Sequence, residues 1–302
     1  MDRFLAMQVF TRVAELESFS AAARQLSLSK SAVSKQISAL EDALGARLLN
    51  RTTRKLSLTE AGQGYYQWAQ RILNDVEEAE RLVGSGRVRA RGRLKVSAPM
   101  SFGFRHLAPL LPKFMEAYPE LELELSLSDR FVDMVAEGQD VALRIGLLQD
   151  TSLIARKVSQ TRRVLCGSPA YFQANGRPTH PEALSSHQCL TYSHGGRPSP
   201  WRFRDRDGKE LSFTTKSRLN VDNGDALLAL ALGGAGIAQM PAFLIWQDIK
   251  AGRLEVVLSD YEQEPLPISA LYPSGRNLSA KVRAFIDFVD QEFGPAPPWD
   301  SM

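Results

Sequence analysis

The chain has 302 residues, 44% of them hydrophobic and 24% charged, with a formal net charge of +3. Those proportions belong to a globular protein of about two or more domains and exclude a disordered or fibrous chain. No run of eighteen apolar residues occurs, two cysteines are too few for a disulfide framework, and the N-terminus with its early Asp2 is no secretory leader, so a cytoplasmic protein is expected.

The charge is uneven. Residues 1–58 hold nine Lys or Arg against five Asp or Glu, a net of +4, which leaves −1 for the remainder. Positive charge gathered at one end suits a polyanionic partner. Within that end, MDRFLAMQVFTRVAELE predicts a first helix with Phe4, Met7, Phe10 and Ala14 inward. A second helix, Ser20 to about Leu26, carries Ala21, Ala22 and Ala23, small enough for close helix crossing. The link Ser27-Leu28-Ser29-Lys30 has the length of a helix-turn-helix connection, with Leu28 plugging the angle. In the third helix Val33, Ile37, Leu40 and Leu44 form one face at spacings of four, three and four, and Gly45 supplies a left-handed C-cap.

The opposite face of that third helix presents Ser31, Ser34, Lys35 and Ser38. Short hydroxyls let a backbone approach base edges closely, and Lys35 can reach a base acceptor or a phosphate. Leu48, Leu49, Leu56 and Leu58 then flank Arg51-Thr52-Thr53-Arg54-Lys55, a hairpin with a basic tip that would set Arg51 and Arg54 on the sugar-phosphate backbone. A helix pair that merely packs, with a solvated arginine rim, shares part of this pattern. The turn length, the polar face and the basic hairpin together favour DNA reading. Ser18 to Gly62 resembles the winged helix-turn-helix of LysR-type transcriptional regulators, whose pattern SxSAVSxQIxxLExxLGxxLFxR…LTxAG it matches nearly throughout. It departs at Leu49, where the family usually has Phe, and leucine still fills the apolar slot.

Thr59, an N-cap before Glu60, opens a long helix to about Val83. Tyr65, Ala69, Ile72, Val76, Ala79 and Val83 alternate spacings of four and three, a coiled-coil seam, opposite the polar run Gln70, Asn74, Glu77, Glu78 and Arg81. An amphipathic helix packed on its own domain would show a similar stripe. The resemblance implies that this linker pairs two subunits, with a tetramer expected and octamers open. Residues 84–92, GSGRVRARG, then break the helix as a hinge.

Beyond the hinge, strands and helices alternate. Strands are expected at Arg93–Ala98, Leu121–Leu127, Asp140–Ile145, Arg163–Cys166, Cys189–Tyr192, Trp201–Arg204, Ile237–Met240 and Ile268–Tyr272, with a ribbon over Lys209–Val221. Helices are expected at Phe102–Tyr118, Phe131–Glu137, Pro169–Asn175, Asn223–Leu232, Ala242–Ala251 and Ser279–Phe293. This alternation argues for α/β units with parallel sheets, and the proline-rich tail from Gly294 reads as disordered. The resemblance implies the fold class: an α/β effector domain of two lobes, type 2 periplasmic-binding-protein-like, behind an all-α winged helix-turn-helix domain and a long linker helix. The expected domains are residues 1–58 for DNA binding, 59–91 for the linker and hinge, and 92–302 for effector binding. Lobe 1 would hold about 92–161 and 267–293, and lobe 2 about 162–266, with crossovers near Gln160-Thr161-Arg162 and Glu264-Pro265-Leu266-Pro267.

Ligands of open α/β sheets bind beyond the carboxyl ends of the strands, where helix N-termini favour an anion, most simply a carboxylate. The expected effector contacts are Ser101, Phe102, Ser128, Asp129, Arg144 and Asn223, with Ser193 and His194 from a loop of the second lobe. Ser101 and Asn223 are equally placed to cap helices, Arg144 to pair with Asp129 or Asp140, and Asp129 to cap the helix at Phe131. His106, His180, His187 and His194 show no metal-ligand spacing, and no GxSxG elbow, Walker loop or Rossmann fingerprint occurs. Neither a cofactor nor a metal nor an enzymatic reaction is expected. Cys166 and Cys189, flanked by leucines, read as core thiols rather than as a redox pair. Two other classes fit parts of the chain: a solute-binding protein, which the basic N-terminal end opposes, and an α/β enzyme with a DNA-binding domain, which lacks a recognisable nucleophile or base. The expected function is a dimeric or higher-order bacterial transcriptional regulator answering to a small anionic effector.

Overall fold

The computed structural model describes residues 2–51, 56–83, 90–130, 134, 137–147, 153–194, 197–198, 200–214, 217, 219–262, 264–273, 278–294 and 296–301. They form two compact units, one whose elements precede residue 84 and one whose elements follow residue 89. In the first unit α1 is Arg3–Leu16, α2 Phe19–Gln25 and α3 Lys30–Leu44. Each begins at a side-chain cap: Asp2 accepts from the amides of Phe4 and Leu5, Ser18 from Ala21, and Ser29 from Ala32. The buried stripe of α1 is Ala6, Val9, Phe10 and Val13, spaced three, one and three, rather than the expected Phe4, Met7, Phe10 and Ala14. Two faces share Phe10, and the one with the wider run of adjacent apolar positions faces α2 and α3.

Leu44 is also corrected. It is 45% exposed, whereas Val33, Ile37 and Leu40 are fully or almost fully buried. Gly45, at φ +65°, ends α3 directly after it, and the buried side is completed instead by Glu41. That carboxylate accepts the amides of Leu48 at 2.9 Å and Leu49 at 3.1 Å, fixing the entry to the hairpin. The hairpin strands are β1 (Leu49–Arg51) and β2 (Leu56–Leu58), antiparallel with Leu49 opposite Leu58. Helix α4, Glu60–Val83, starts at Thr59, whose hydroxyl accepts from the Gly62 amide at 2.9 Å and donates to Arg47 O at 2.7 Å. Gly62 is required by this approach, because a Cβ there would stand 1.9 Å from the Leu48 carbonyl oxygen.

The first turns of α4 belong to the unit's own core. Tyr65 meets Phe10 edge-on at 5.4 Å, and Ala69 is buried. The expected seam is therefore partly used up within the chain, while Trp68 and Ile72, one turn apart, are 57% and 40% exposed. The side chains of Ala79 and Val83, and the hinge residues 84–89, lie outside the described residues.

The second unit holds two mixed sheets. In the first, β3 (Gly92–Ala98) lies between β4 (Leu121–Leu127) and β5 (Val141–Ile145), parallel to both; β15 (Leu266–Pro273) follows β5 and then β6 (Leu153–Thr161), antiparallel to each. In the second, β12 (Asn220–Val221), β8 (Cys189–His194) and β13 (Ile237–Pro241) are parallel, and β7 (Arg163–Gly167) runs antiparallel to β13 and to β14 (Glu255–Val257). The short β9 (Arg197–Pro198) pairs with β8, and β10 (Trp201–Arg204) with β11 (Glu210–Phe213) forms a separate ribbon.

This corrects the expectation of parallel sheets. Strand-helix-strand crossovers make the parallel neighbours, but β15 in the first sheet and β7 in the second, each placed where the chain has just crossed between sheets, run against them. The chain leaves the first sheet at Thr161, enters the second at Arg163, and returns at Leu266. The strands at 153–161 and 255–257 lie outside the sequence expectation; half-buried Arg156 and exposed Lys157 interrupt any apolar alternation in the first. The helices are α5 over 100–117 (a mixed α, π and 3-10 segment), α6 Pro169–Asn175, α7 Gly224–Leu232, α8 Ala242–Lys250 and α9 Ala280–Phe293. The expected helix at 131–137 lies largely outside the described residues. One apolar core runs through both lobes, from Leu94 and Val96 to Val164, Met240 and Phe285.

The tail is not disordered. Trp299, in a 3-10 turn over Pro298–Asp300, is completely buried among Phe102, His106, Phe243 and Phe293, with ring centroids 4.7–6.3 Å away. Its indole N–H donates to Gln160 O at 2.8 Å, and Ser159 Oγ donates to Gly294 O at 3.2 Å. Prolines break helices and strands without preventing a single aromatic side chain from docking.

Candidate functional site

Two surfaces collect the residues singled out in the sequence, one in each unit. In the first unit the N-terminal half of α3 carries Ser31 and Lys35 exposed and Ser34 and Ser38 half-buried, on the side away from Val33, Ile37 and Leu40. Ser29 and Ser31 share a 2.9 Å hydroxyl bond at the start of the helix. Four small or flexible polar groups on one face, at a capped helix start, can enter a groove and exchange hydrogen bonds with base edges. Arg51 pairs through its backbone with Leu56 in the hairpin; its side chain, and Arg54 with the rest of the hairpin tip, lie outside the described residues.

In the second unit a cavity of about 320 Å³ lies between the sheets. Ser101, Phe102, Ser128, Asp129 and Arg144 line it. Asn223 and Ser193 do not belong to its lining, and the His194 side chain lies outside the described residues. Asn223 caps α7, accepting from the Ala226 amide at 3.0 Å, while its own amide donates to Met100 Sδ at 3.4 Å. Asp129 takes the Met100 amide at 2.9 Å, at the start of α5; the expected cap at Phe131 falls outside the described residues. Ser128 Oγ accepts from the Arg130 amide.

Arg144 is 9% exposed; its guanidinium donates to Leu143 O at 2.8 Å and to Ser97 Oγ at 3.1 Å. Of the acids expected to pair with it, Asp140 instead holds Lys281 at 2.7 Å and the Lys95 amide at 2.9 Å. Arg163 reaches the same cavity from the start of β7 in the other lobe. Burial, with Arg202 nearby, pushes the Arg163 guanidinium below its ordinary pKa. Tyr192, also lining, is pushed up to about 12, chiefly by burial and secondarily by Asp129 and Asp222, so it stands as a neutral phenol. The remaining wall is largely apolar: Trp201, Leu227, Phe243 and Leu266 face it, with Phe102 meeting Phe243 edge-on at 5.3 Å.

Sequence reasoning missed Arg163, Trp201 and Phe243. Arg163 carried one signal, a cation opening an otherwise apolar strand (RVLCG). Ser101 was expected to offer its hydroxyl to a ligand; here it donates to Asp225 at 2.6 Å. The cysteines are inert by geometry as well as by burial. Strand β13 lies between β7 and β8, with Ala238 opposite Cys166 and Ile237 opposite Cys189. Two strand spacings, roughly 9–10 Å, exceed the reach of a disulfide. Burial also pushes the two thiols up to about 12 and about 11. Among the described residues no cluster of His, Cys, Asp and Glu could hold a metal ion, and no helix is long and apolar enough to cross a membrane.

Each unit matches a known family. Residues 4–63 match the bacterial regulatory helix-turn-helix protein, lysR family, and residues 87–294 match the LysR substrate binding domain. An uncharacterized HTH-type transcriptional regulator of Haemophilus influenzae is 39% identical, covering 93% of this chain and 98% of its own. The HTH-type transcriptional regulator CrgA of Neisseria meningitidis is 37% identical, covering 95% and 96%. The structure of CrgA from that organism superposes with a TM-score of 0.61 at 36% identity, covering 96% of this chain and 98% of that one. With both models matched in order along the chain, a helix-turn-helix built on α2 and α3, and a two-lobed domain enclosing a cavity, this protein belongs to the LysR family of DNA-binding transcriptional regulators.

Proposed function

We propose that this regulator reads its operator with Ser31, Ser34, Lys35 and Ser38 in the major groove, sets Arg51 and Arg54 on phosphates, and responds to a small carboxylate held in the cavity between its lobes. In this reading residues 1–58 bind DNA, 59–91 pair two subunits, and 92–302 bind the effector, with lobe 1 at 92–161 and 267–293 and lobe 2 at 162–266. Pairing through α4 draws support from Trp68 and Ile72, large apolar side chains left exposed one turn apart. A homodimer presents two α3 helices to successive major grooves, and dimers of dimers bend the promoter between them.

One observation carries the effector reading: two arginines from different lobes, Arg144 and Arg163, line a cavity whose walls are otherwise mainly aromatic and aliphatic. Arg163 is already penalised by burial and by Arg202, and Asp129 is the one acid among the described lining residues, so an anion relieves an existing electrostatic cost. An apolar body carrying a carboxylate satisfies both the charge and the walls.

The test is thermal unfolding of the full chain with benzoate against benzamide and hexanoate against hexanamide, in wild type and Arg144→Gln. A carboxylate present at about a hundred times its Kd stabilises by about 2.7 kcal/mol. For a unit of this size that raises Tm by about 5–11 °C. Carboxylates are expected to raise Tm, their amides not, and Arg144→Gln to remove the effect. Equal shifts for acid and amide contradict the reading.

A further inference from the structure

The cavity wall at Ser101 and Gly224 is also a seam where the lobes meet through charge. Asp225, in the first turn of α7, takes the Ser101 hydroxyl on one carboxylate oxygen at 2.6 Å. Its other oxygen takes Arg105 Nε at 2.7 Å and a terminal guanidinium nitrogen at 2.6 Å. Ser101 and Arg105 stand four residues apart on α5, so both reach one carboxylate of the opposite lobe. The backbone is shaped for this approach. A Cβ on Gly224 would come within 3.0 Å of Ser101 Oγ and 3.2 Å of Leu244 Cδ2. Ser101 and Gly224 line the cavity, whereas Asp225 does not, and Asp225 and Arg105 keep about a third of their side-chain surface exposed.

A serine hydroxyl has one proton to donate. While Asp225 holds it, Ser101 cannot give it to a ligand. We propose that Asp225 is an internal anion standing in for the effector: the incoming carboxylate, drawn by Arg144 and Arg163, displaces Asp225 as the acceptor for Ser101 and so loosens the seam between α5 and α7. The proton stays on Ser101 and only its acceptor changes. Asp225 is left on Arg105 alone, at an exposed ion pair of small strength. This inference rests on the carboxylate reading above, and it makes Asp225 a positioning residue that sets the effector threshold.

The experiment combines benzoate titration, with benzamide as control, and hydrogen exchange of the ligand-free full chain, in wild type, Asp225→Asn, Ser101→Ala and the double variant. Asp225→Asn is expected to bind benzoate about tenfold tighter than wild type. In the Ser101→Ala background the same change is expected to give no gain. A gain of equal size in both backgrounds means that Asp225 acts only through its field on the cavity, and overturns the proposal, as does no gain at all. Without ligand, Asp225→Asn is expected to speed exchange of amides in 101–105 and 225–228 about tenfold, leaving those of β3 and β13 unchanged. Unchanged exchange at the seam overturns the clasp by itself. Benzoate binding to none of the four proteins counts against the carboxylate reading, and hydrogen exchange still decides whether Asp225 holds the seam.

Discussion

Replacing Trp299 by alanine removes the largest fully buried side chain of the described residues, three positions before Met302. Truncation of a buried tryptophan costs about 3–5 kcal/mol, because the surroundings close only partly over the space left. Within that sum the indole bond to Gln160 O accounts for about 1 kcal/mol. The edge-on contacts with Phe102 and Phe243 account for about 0.5–1.5 kcal/mol each. At about 2–4 °C per kcal/mol for a unit of this size, Tm of the effector-binding unit should fall by about 6–20 °C. Differential scanning calorimetry of the full chain resolves that transition from the helix-turn-helix unit. Phe102 and Phe243 also line the cavity, so the near-ultraviolet dichroism of the aromatic cluster should change with the same variant. A Tm within 2 °C of wild type, or an unchanged value on ending the chain at Phe293, would refute the docking of the tail.

Three further outcomes follow from the same contacts. Glu41→Ala strips the acceptor from the amides of Leu48 and Leu49, both buried; at about 1–3 kcal/mol for each unsatisfied group it should destabilise the first unit by about 2–6 kcal/mol, and a loss under 0.5 kcal/mol in urea unfolding would count against this role. Burial holds the His106 imidazole below its ordinary 6.5, and its Nε2–H donates to Phe243 O at 2.9 Å, so the folded chain keeps this ring neutral while the unfolded chain protonates it. Its contribution to stability is complete above about pH 6.5 and is lost as pH falls below that value, so the Tm difference between wild type and His106→Asn should narrow from pH 7.5 to pH 5.5; a difference that widens would reverse the sign of this argument. Ser34→Ala or Lys35→Ala should weaken operator binding more than binding to random DNA, by about 1–3 kcal/mol, whereas Arg54→Ala should weaken both alike and reduce the salt slope by about one; identical behaviour of Lys35→Ala and Arg54→Ala would move Lys35 onto phosphate.

Periodicity made the helices legible because each buries a face whose spacing is written locally. Val33, Ile37 and Leu40 needed no partner to be recognised, and Pro169–Asn175 and Leu121–Leu127 were bounded to the residue. What escaped was set by distant parts of the chain. Whether Leu44 or Glu41 completes the buried side of α3 depends on two amides seven and eight residues further on. The strand at 153–161 is a strand because β15 pairs with it, despite the charges of Arg156 and Lys157 at its middle. Trp299 finds its place on residues 102, 106, 160 and 243, none of which its proline-rich neighbours announce. The effector site divides in the same way. Helix starts and strand ends pointed to Ser101, Ser128, Asp129 and Arg144, but the partner of Ser101 lies 124 positions away on the other lobe. Asn223 offered the same local signal as Ser101 and spends it on its own helix.

Fluorescence anisotropy of the purified full chain on the DNA upstream of its own gene, with random DNA as control across a salt series, tests the central claim most directly. A sequence-reading regulator predicts tighter binding to the upstream DNA by at least about a thousandfold, kept as salt rises while the affinity for both falls. Equal affinity for the two DNAs, lost together with salt, would contradict base reading by α3 and leave only a basic domain that binds phosphate.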